Sequence, residues 1–304
     1  MPTKNIDLLS LIEHFSCEDK CHAFLEKLRW PNGAECPRCQ EETTISRLDK
    51  RRQFECDSCG YQFSVRVGTV LQDSKLPLWK WFVTIFLLCQ SKKGMSANQI
   101  KRTIGVSYKT AWFLCHRIRH AMSSLVENPL SGIVEVDETW VGGKAKSGSK
   151  AAKGKGRGYT GNKTMVVGAV ERDGSIRLKV RSKADRKTLH AFIEKYAGEA
   201  ARVYTDEHAG YVGIERADRA HKTVNHKAEE YVRGDVHTNS VENVWSLLKR
   251  SIIGAFHHVS VDHLPRYLDE LEWRFNNREN PYLFRDTLVA LMASDVMTYE
   301  KLVG

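Results

Sequence analysis

Two short cysteine pairs, Cys36-Pro-Arg-Cys39 and Cys56-Asp-Ser-Cys59, place the tightest constraint on what this chain can fold into. Thiolates two residues apart on a tight turn can both reach one ion. A second such turn, sixteen residues further on, completes a tetrahedral four-sulfur shell. Gly60 follows the second pair, where a turn of this kind commonly needs a positive φ. A redox Cys-x-x-Cys occurs singly, so the doubled motif points to structural zinc held by Cys36, Cys39, Cys56 and Cys59. Arg52–Cys56 and Tyr61–Val67 alternate like short strands, and residues 1–30 carry leucine and phenylalanine at helical spacing. Residues 1–72 therefore read as an N-terminal helix and a zinc ribbon. Cys17, Cys21, Cys89 and Cys115 fall on helical segments and read as small buried hydrophobes.

Cysteines kept as thiols belong in a reducing compartment. The most apolar run, Trp81–Gln90, is about half the length needed to cross a bilayer and is flanked by Lys80 and Lys92. Asp7 interrupts the first eleven residues, which lack the layout of a signal peptide. A cytoplasmic protein with no membrane partner is expected. Its 47 Lys and Arg against 37 Asp and Glu leave a net charge of +10, a surplus that favours polyanions.

Residues 73–130 are helical in pattern and contain a candidate helix-turn-helix. Ser96 caps a short helix that Gly105 ends; Ser107 then caps a second, basic helix. Ser107, Tyr108, Lys109 and Thr110 sit at the start of that second helix, where base edges are normally contacted.

From Ile133 the pattern turns to mixed strand and helix. Strands are expected near 133–137, 164–170, 176–180 and 201–206, and helices near 185–197, 239–252 and 262–275. Asp137 ends the first of these strands, on the same face as Glu135, with Glu138 on the other face. Asp206 closes a later strand. Glu242 lies on a helix capped by Thr238 or Asn239, and Lys249 follows it by two turns on the same face. Singly, each carboxylate reads as a cap or a solvated acid; in this order, on these elements, they read as a catalytic set.

With these residues in place, the chain resembles the DDE transposases of insertion sequences that carry an N-terminal zinc ribbon and an ISXO-like catalytic domain. The resemblance is carried by Val136-Asp-Glu-Thr-Trp-Val-Gly-Gly-Lys144, Tyr204-Thr-Asp-Glu-His-Ala-Gly-Tyr211, His237-Thr-Asn-Ser-Val-Glu242 with Lys249-Arg250, Gly254–Ser260 and Arg274–Arg278. It spans roughly residues 8–290. It implies an α/β, ribonuclease-H-like catalytic domain over 131–304, preceded by the ribbon and the helix-turn-helix. Asp137, Asp206 and Glu242 would hold two Mg²⁺ or Mn²⁺ ions, with Asn239 as an alternative third ligand. Lys249 and Arg250 would contact DNA beside the scissile phosphate. The implied reaction hydrolyses a transposon end and then joins the free 3′-hydroxyl to target DNA, since one site serves both steps when only the nucleophile changes. The implied partners are double-stranded terminal inverted repeats, target DNA and a second copy of the chain or a larger assembly. The implied location is bacterial and nucleoid-associated. A DNA-binding regulator without catalysis, or a ribonuclease-H-like nuclease without strand transfer, would use many of the same residues. Residues 142–163 add seven cations and no acid. They form an expected Gly/Lys loop whose Lys144, Lys153, Lys155 and Arg157 could follow a phosphate backbone without reading sequence.

Overall fold

The computed structural model describes residues 4–123, 128–142, 163–217, 220–224 and 235–303. The chain forms two compact units, one of Met1–Leu125 with Asn277–Gly304 and the other of Val126–Asn276.

In the first unit, α1 (Leu8–His14) and α2 (Glu18–Arg29) lead into an antiparallel sheet of β1 (Ile45–Leu48), β2 (Gln53–Cys56) and β3 (Gln62–Phe63). Strand β1 carried no sequence signal, because two of its four residues are exposed and its alternation is polar. This sheet buries little apolar surface. Phe54, Phe63, Cys36 and Cys56 form its core, with Trp30 edge-on to both phenylalanines at 5.4 and 5.7 Å. Arg29 ties the end of α2 to the segment after β3, donating 2.7 Å hydrogen bonds from Nη1 to the carbonyls of Val65 and Val67. Cys17, expected inside, is exposed at the N-cap of α2.

Next come α3 (Leu78–Gln90), α4 (Ala97–Ile104) and α5 (Tyr108–Met122). The Ser96 side chain accepts from the Gln99 N–H, and that of Ser107 from the Thr110 N–H, each satisfying a donor that a helix start leaves open. Gly105 ends α4 at φ 61°, a left-handed conformation that costs glycine nothing. Ile100, Ile104 and Ala111 are buried between the crossing helices.

The second unit is built on a mixed sheet. Strands β4 (Ile133–Val141), β5 (Thr164–Glu171) and β6 (Ile176–Arg181) are antiparallel neighbours; after α6 (Arg186–Tyr196), β7 (Arg202–Thr205) returns parallel to β4 and β8 (His221–Thr223) parallel to β7. Among the described residues the order is β6-β5-β4-β7-β8, the mixed α/β arrangement expected of a ribonuclease-H-like domain. Helices α7 (Asn239–Ser251) and α8 (Leu264–Asn276) complete the unit. Alternation along the strands gives the sheet two apolar faces. Val134, Val136, Val167 and Ala169 pack with Leu189, Phe192 and Ile193 of α6. Val166, Ile176 and Leu178 pack with Val244, Trp245 and Leu248 of α7 and Leu268 and Leu271 of α8. Trp140 is exposed on β4.

The chain then forms α9 (Leu283–Ala293) and α10 (Tyr299–Val303). The sequence grouped these residues with 131–304. In the structure they belong to the first unit, because α9 buries Phe284, Leu288 and Leu291 there and packs against α2, α3 and α5. Phe284 joins Phe15, Phe24 and Phe82 in an aromatic cluster with centroid separations of 4.8 to 6.2 Å.

One backbone feature of the second unit sets how closely helix and sheet approach. In the β4–β5 register Gly168 lies opposite Asp137. A Cβ there would overlap the Trp245 indole, with Cζ2 at 2.8 Å, and would press on Leu178 at 3.1 Å. The missing side chain is the space in which the indole lies. Gly168→Ala is expected to cost about 1–3 kcal/mol by overpacking and to shift the tryptophan emission, both measurable by chemical denaturation followed by fluorescence.

Candidate active site and metal centres

Strands β4 and β7 are the parallel pair at the middle of the sheet. Their register couples Ile133 to Arg202, Val134 to Val203 and Glu135 to Tyr204. Two residues beyond the last pair stand Asp137 and Asp206, level with each other; β4 runs on to Val141, so Asp137 lies at mid-strand and does not end it as the sequence suggested, while Asp206 directly follows β7. The carboxyl end of a strand in an α/β sheet is where ligands bind.

The Asp137 side chain faces α7. Its Oδ2 accepts a 2.8 Å hydrogen bond from Trp245 Nε1. Burial raises its pKa from 3.8 to about 7; the Trp245 hydrogen bond opposes the rise, and the charges of Glu138 and Asp206 add to it. Strand alternation turns Glu138 to the opposite face, as the sequence indicated, yet it remains part of the same cluster. Tyr211 donates to its Oε2 at 2.7 Å, His208 Nδ1 stands 3.9 Å from its Oε1, and burial together with the Asp206 charge raises its pKa. Asp206 opens a tight turn by accepting the His208 N–H at 3.0 Å. Asp137 and Glu138, both raised in proton affinity beside the Asp206 charge, form a site whose charge is balanced by protons or by a cation.

Glu242 is exposed in the first turn of α7, three residues before Trp245. That separation is one turn, so Glu242 and the indole that touches Asp137 share a helix face. Lys249 and Arg250 are exposed in the last turn. Asn239, the other candidate, is the first helical residue and exposed, and Thr238 holds the cap position without a capping side-chain bond. The Thr238 hydroxyl instead stands 3.4 Å from Glu242 Oε1. The donors of the first turn go to Glu135, which is fully buried on β4. Its Oε2 accepts the Ser240 and Val241 N–H groups at 2.7 and 3.2 Å, and its Oε1 accepts Ser240 Oγ at 3.0 Å and Arg172 Nε at 2.7 Å.

The four ribbon cysteines converge. The ligand atoms of Cys36, Cys39, Cys56 and Cys59 all lie within 4.8 Å of one another, with sulfur–sulfur distances of 3.5 to 3.7 Å among the contacting pairs. This is a four-thiolate shell of the size and ligand type that suits zinc.

Ser107, Tyr108, Lys109 and Thr110 are all exposed at the start of α5. The Ser107 and Thr110 hydroxyls bond each other at 2.8 Å, and Lys109 Nζ stands 4.2 Å over the Tyr299 ring. Lys144, Lys153, Lys155 and Arg157 lie outside the described residues.

Sequence reasoning passed over the roles of Trp245, Tyr211, Arg172 and Glu135. For Glu135 a signal existed: an acid in an apolar strand, on the same face as Asp137. Burying it demands donors, but which element supplies them is a tertiary fact.

Comparison with known proteins gives the family. Residues 129–276 match the ISXO2-like transposase domain, and residues 16–62 match the transposase zinc-ribbon domain. A protein of the transposable element ISH50 of Halobacterium salinarum is 31% identical over 276 residues, which cover 86% of this chain and 92% of that protein. A transposase-like protein of Haemophilus influenzae is 30% identical over 92 residues, 30% of this chain and 73% of its own length. A solved structure of a pre-cleavage Mos1 transpososome aligns at 12% identity over 69% of this chain and 78% of that one, with a TM-score of 0.27. The spacing of the four cysteines, the mixed sheet and a relative matched along nearly its whole length agree: this chain belongs to the ISXO2-like transposase family, with a transposase zinc ribbon in its first unit.

Proposed function

We propose that the chain is a DDE-type DNA transposase that cleaves transposon ends and joins the resulting 3′-hydroxyl to target DNA, with Asp137, Asp206 and Glu242 as the metal-binding carboxylates. The observation that carries this reading is the β4–β7 register, which sets Asp137 on β4 level with Asp206 at the end of β7, while Glu242 on α7 is one turn from the indole bound to Asp137.

The donor set fits hard divalent cations: it is carboxylate in character, and Asp137 is buried with a raised proton affinity that a bound cation would relieve. Mg²⁺ or Mn²⁺ bound there supplies activation of the attacking oxygen and charge stabilisation of the leaving 3′ oxygen. The Trp245 hydrogen bond fixes the orientation of Asp137, and the Asp206 turn keeps its carboxylate at the strand end. Lys249 and Arg250, exposed at the far end of α7, are placed to meet DNA phosphates. Ser107, Tyr108, Lys109 and Thr110 are the proposed contacts of a helix-turn-helix with the terminal inverted repeats, and the ribbon carries one structural zinc. Synapsis of two ends calls for a dimer or a larger assembly. Among the described residues no helix is long and apolar enough to cross a membrane, and a cytoplasmic, nucleoid-associated protein is the proposed setting.

Strand-transfer assays with Mg²⁺ and duplexes bearing the element's ends test the reaction. Wild-type protein should nick and join. Asp137→Ala, Asp206→Ala and Glu242→Ala should each lose at least a hundredfold in both steps, and Asn239→Ala much less. A wild type that nicks without joining is a nuclease. Equal loss at Asn239 with none at Glu242 would move the third ligand to Asn239.

The raised pKa of Asp137 has a stability consequence. The folded state holds the proton more tightly than the unfolded chain, so the metal-free protein loses stability as pH rises from about 4 towards 7. In magnesium-free buffer at pH 7.5, Asp137→Asn should therefore stabilise the second unit by on the order of 2 kcal/mol while abolishing cleavage. A lower melting temperature for the variant would show that the charge is not strained.

Metal analysis of purified protein should return about one zinc per chain. Cys36→Ser should lower that content and loosen the ribbon, whose apolar core is too small to hold alone; unchanged zinc would refute the assignment.

A further inference from the structure

Glu135 takes no part in the proposed reaction, yet it is a fully buried carboxylate placed between the two elements that carry Asp137 and Glu242. We propose that Glu135 is a positioning residue that clamps the first turn of α7 to β4 and so sets the separation of Asp137 and Glu242 for metal binding. The proposal rests on the carboxylate assignment made under Proposed function.

The geometry is specific. The N–H groups of Ser240 and Val241 are second and third in α7, donors that a helix cannot satisfy internally. The usual remedy is the side chain at the cap, but Thr238 makes no such bond. Both donors reach Glu135 Oε2 instead, 105 and 106 residues away in sequence. Oε1 receives the Ser240 hydroxyl and Arg172 Nε, and His237 Nδ1 stands 3.2 Å from it. Arg172 also donates from Nη2 to the His237 carbonyl at 3.3 Å, binding the chain that enters the helix. Negative charge at a helix N-terminus is favoured by the peptide dipoles, and Arg172 balances it. Asp137 lies two residues beyond Glu135 on the same strand face, and Glu242 follows Val241 directly. One carboxylate thus defines where the strand-borne and helix-borne ligands stand relative to each other. A glutamine cannot replace it, because its amide NH₂ would meet a donor on one side or the other.

The test uses the full-length protein and Mn²⁺ as the probe, with binding followed by electron paramagnetic resonance, cleavage followed as a function of Mn²⁺, and thermal unfolding. Glu135→Gln should raise the Mn²⁺ concentration for half-maximal binding and cleavage at least tenfold, with the cleavage rate at saturating Mn²⁺ within about threefold of wild type. Ile193→Ala, a cavity in the same unit within the other core cluster, on α6, should lower the melting temperature without shifting metal dependence. Unchanged Mn²⁺ dependence in Glu135→Gln, or an equal shift in Ile193→Ala, overturns the positioning role. Should Glu135→Gln fail to fold, Ser240→Ala removes one of the clamp's donors and should raise the half-maximal Mn²⁺ concentration about threefold; no shift there overturns the proposal. If Asp137→Ala leaves wild-type Mn²⁺ binding intact, the carboxylate assignment itself falls, and this proposal with it.

Discussion

The second unit is organised around carboxylates held close together and partly out of water, which is unfavourable unless each is met by something. Glu135 is met by helix N–H groups and a guanidinium, Asp137 by an indole N–H, and Glu138 by a phenol. Glu135 is fully compensated by protein donors. Asp137 and Glu138 are compensated only in part, and their affinity for protons rises accordingly. Satisfied charge at one level of the strand holds the architecture, and unsatisfied charge two residues further on is available for chemistry.

The same division runs through the neighbouring elements. Trp245 contributes apolar surface to the core and a polar edge to the site, which is possible only because β5 has no side chain at Gly168. Packing and site geometry are therefore not separable here: the approach of α7 to the sheet at Gly168 is also what brings the Trp245 N–H to Asp137. In the first unit the coupling is looser. The ribbon's four sulfurs and few aromatics make a self-contained module, joined to α2 by Arg29 and by the Arg66–Glu18 pair at 2.7 Å.

Much of this was legible in the sequence, for physical reasons. Cys-x-x-Cys spacing is a local constraint of one turn, and Asp137 and Asp206 sit on or directly after apolar strands whose period of two is strong, although β4 runs on to Val141, past the end the sequence suggested. What escaped was either too short or too distant in sequence to leave a local pattern. Strand β8 is three residues long, and β1 is largely polar. Helix α9 carries an apolar face with nothing to say which unit it covers. The cap of α7 was assigned to Thr238 or Asn239 because caps are normally supplied by the chain leading into the helix, whereas here the acceptor arrives from a strand more than a hundred residues earlier.

That borrowed cap frees the connection between β7 and α7. The chain after β7 is still tied down where β8 joins the sheet, where Val224 and Val236 are buried with Tyr204 and where Arg172 holds the His237 carbonyl, but it does not have to supply the acceptor for the helix start. A change in how that stretch approaches α7 therefore leaves the acceptor for the helix's first N–H groups in place.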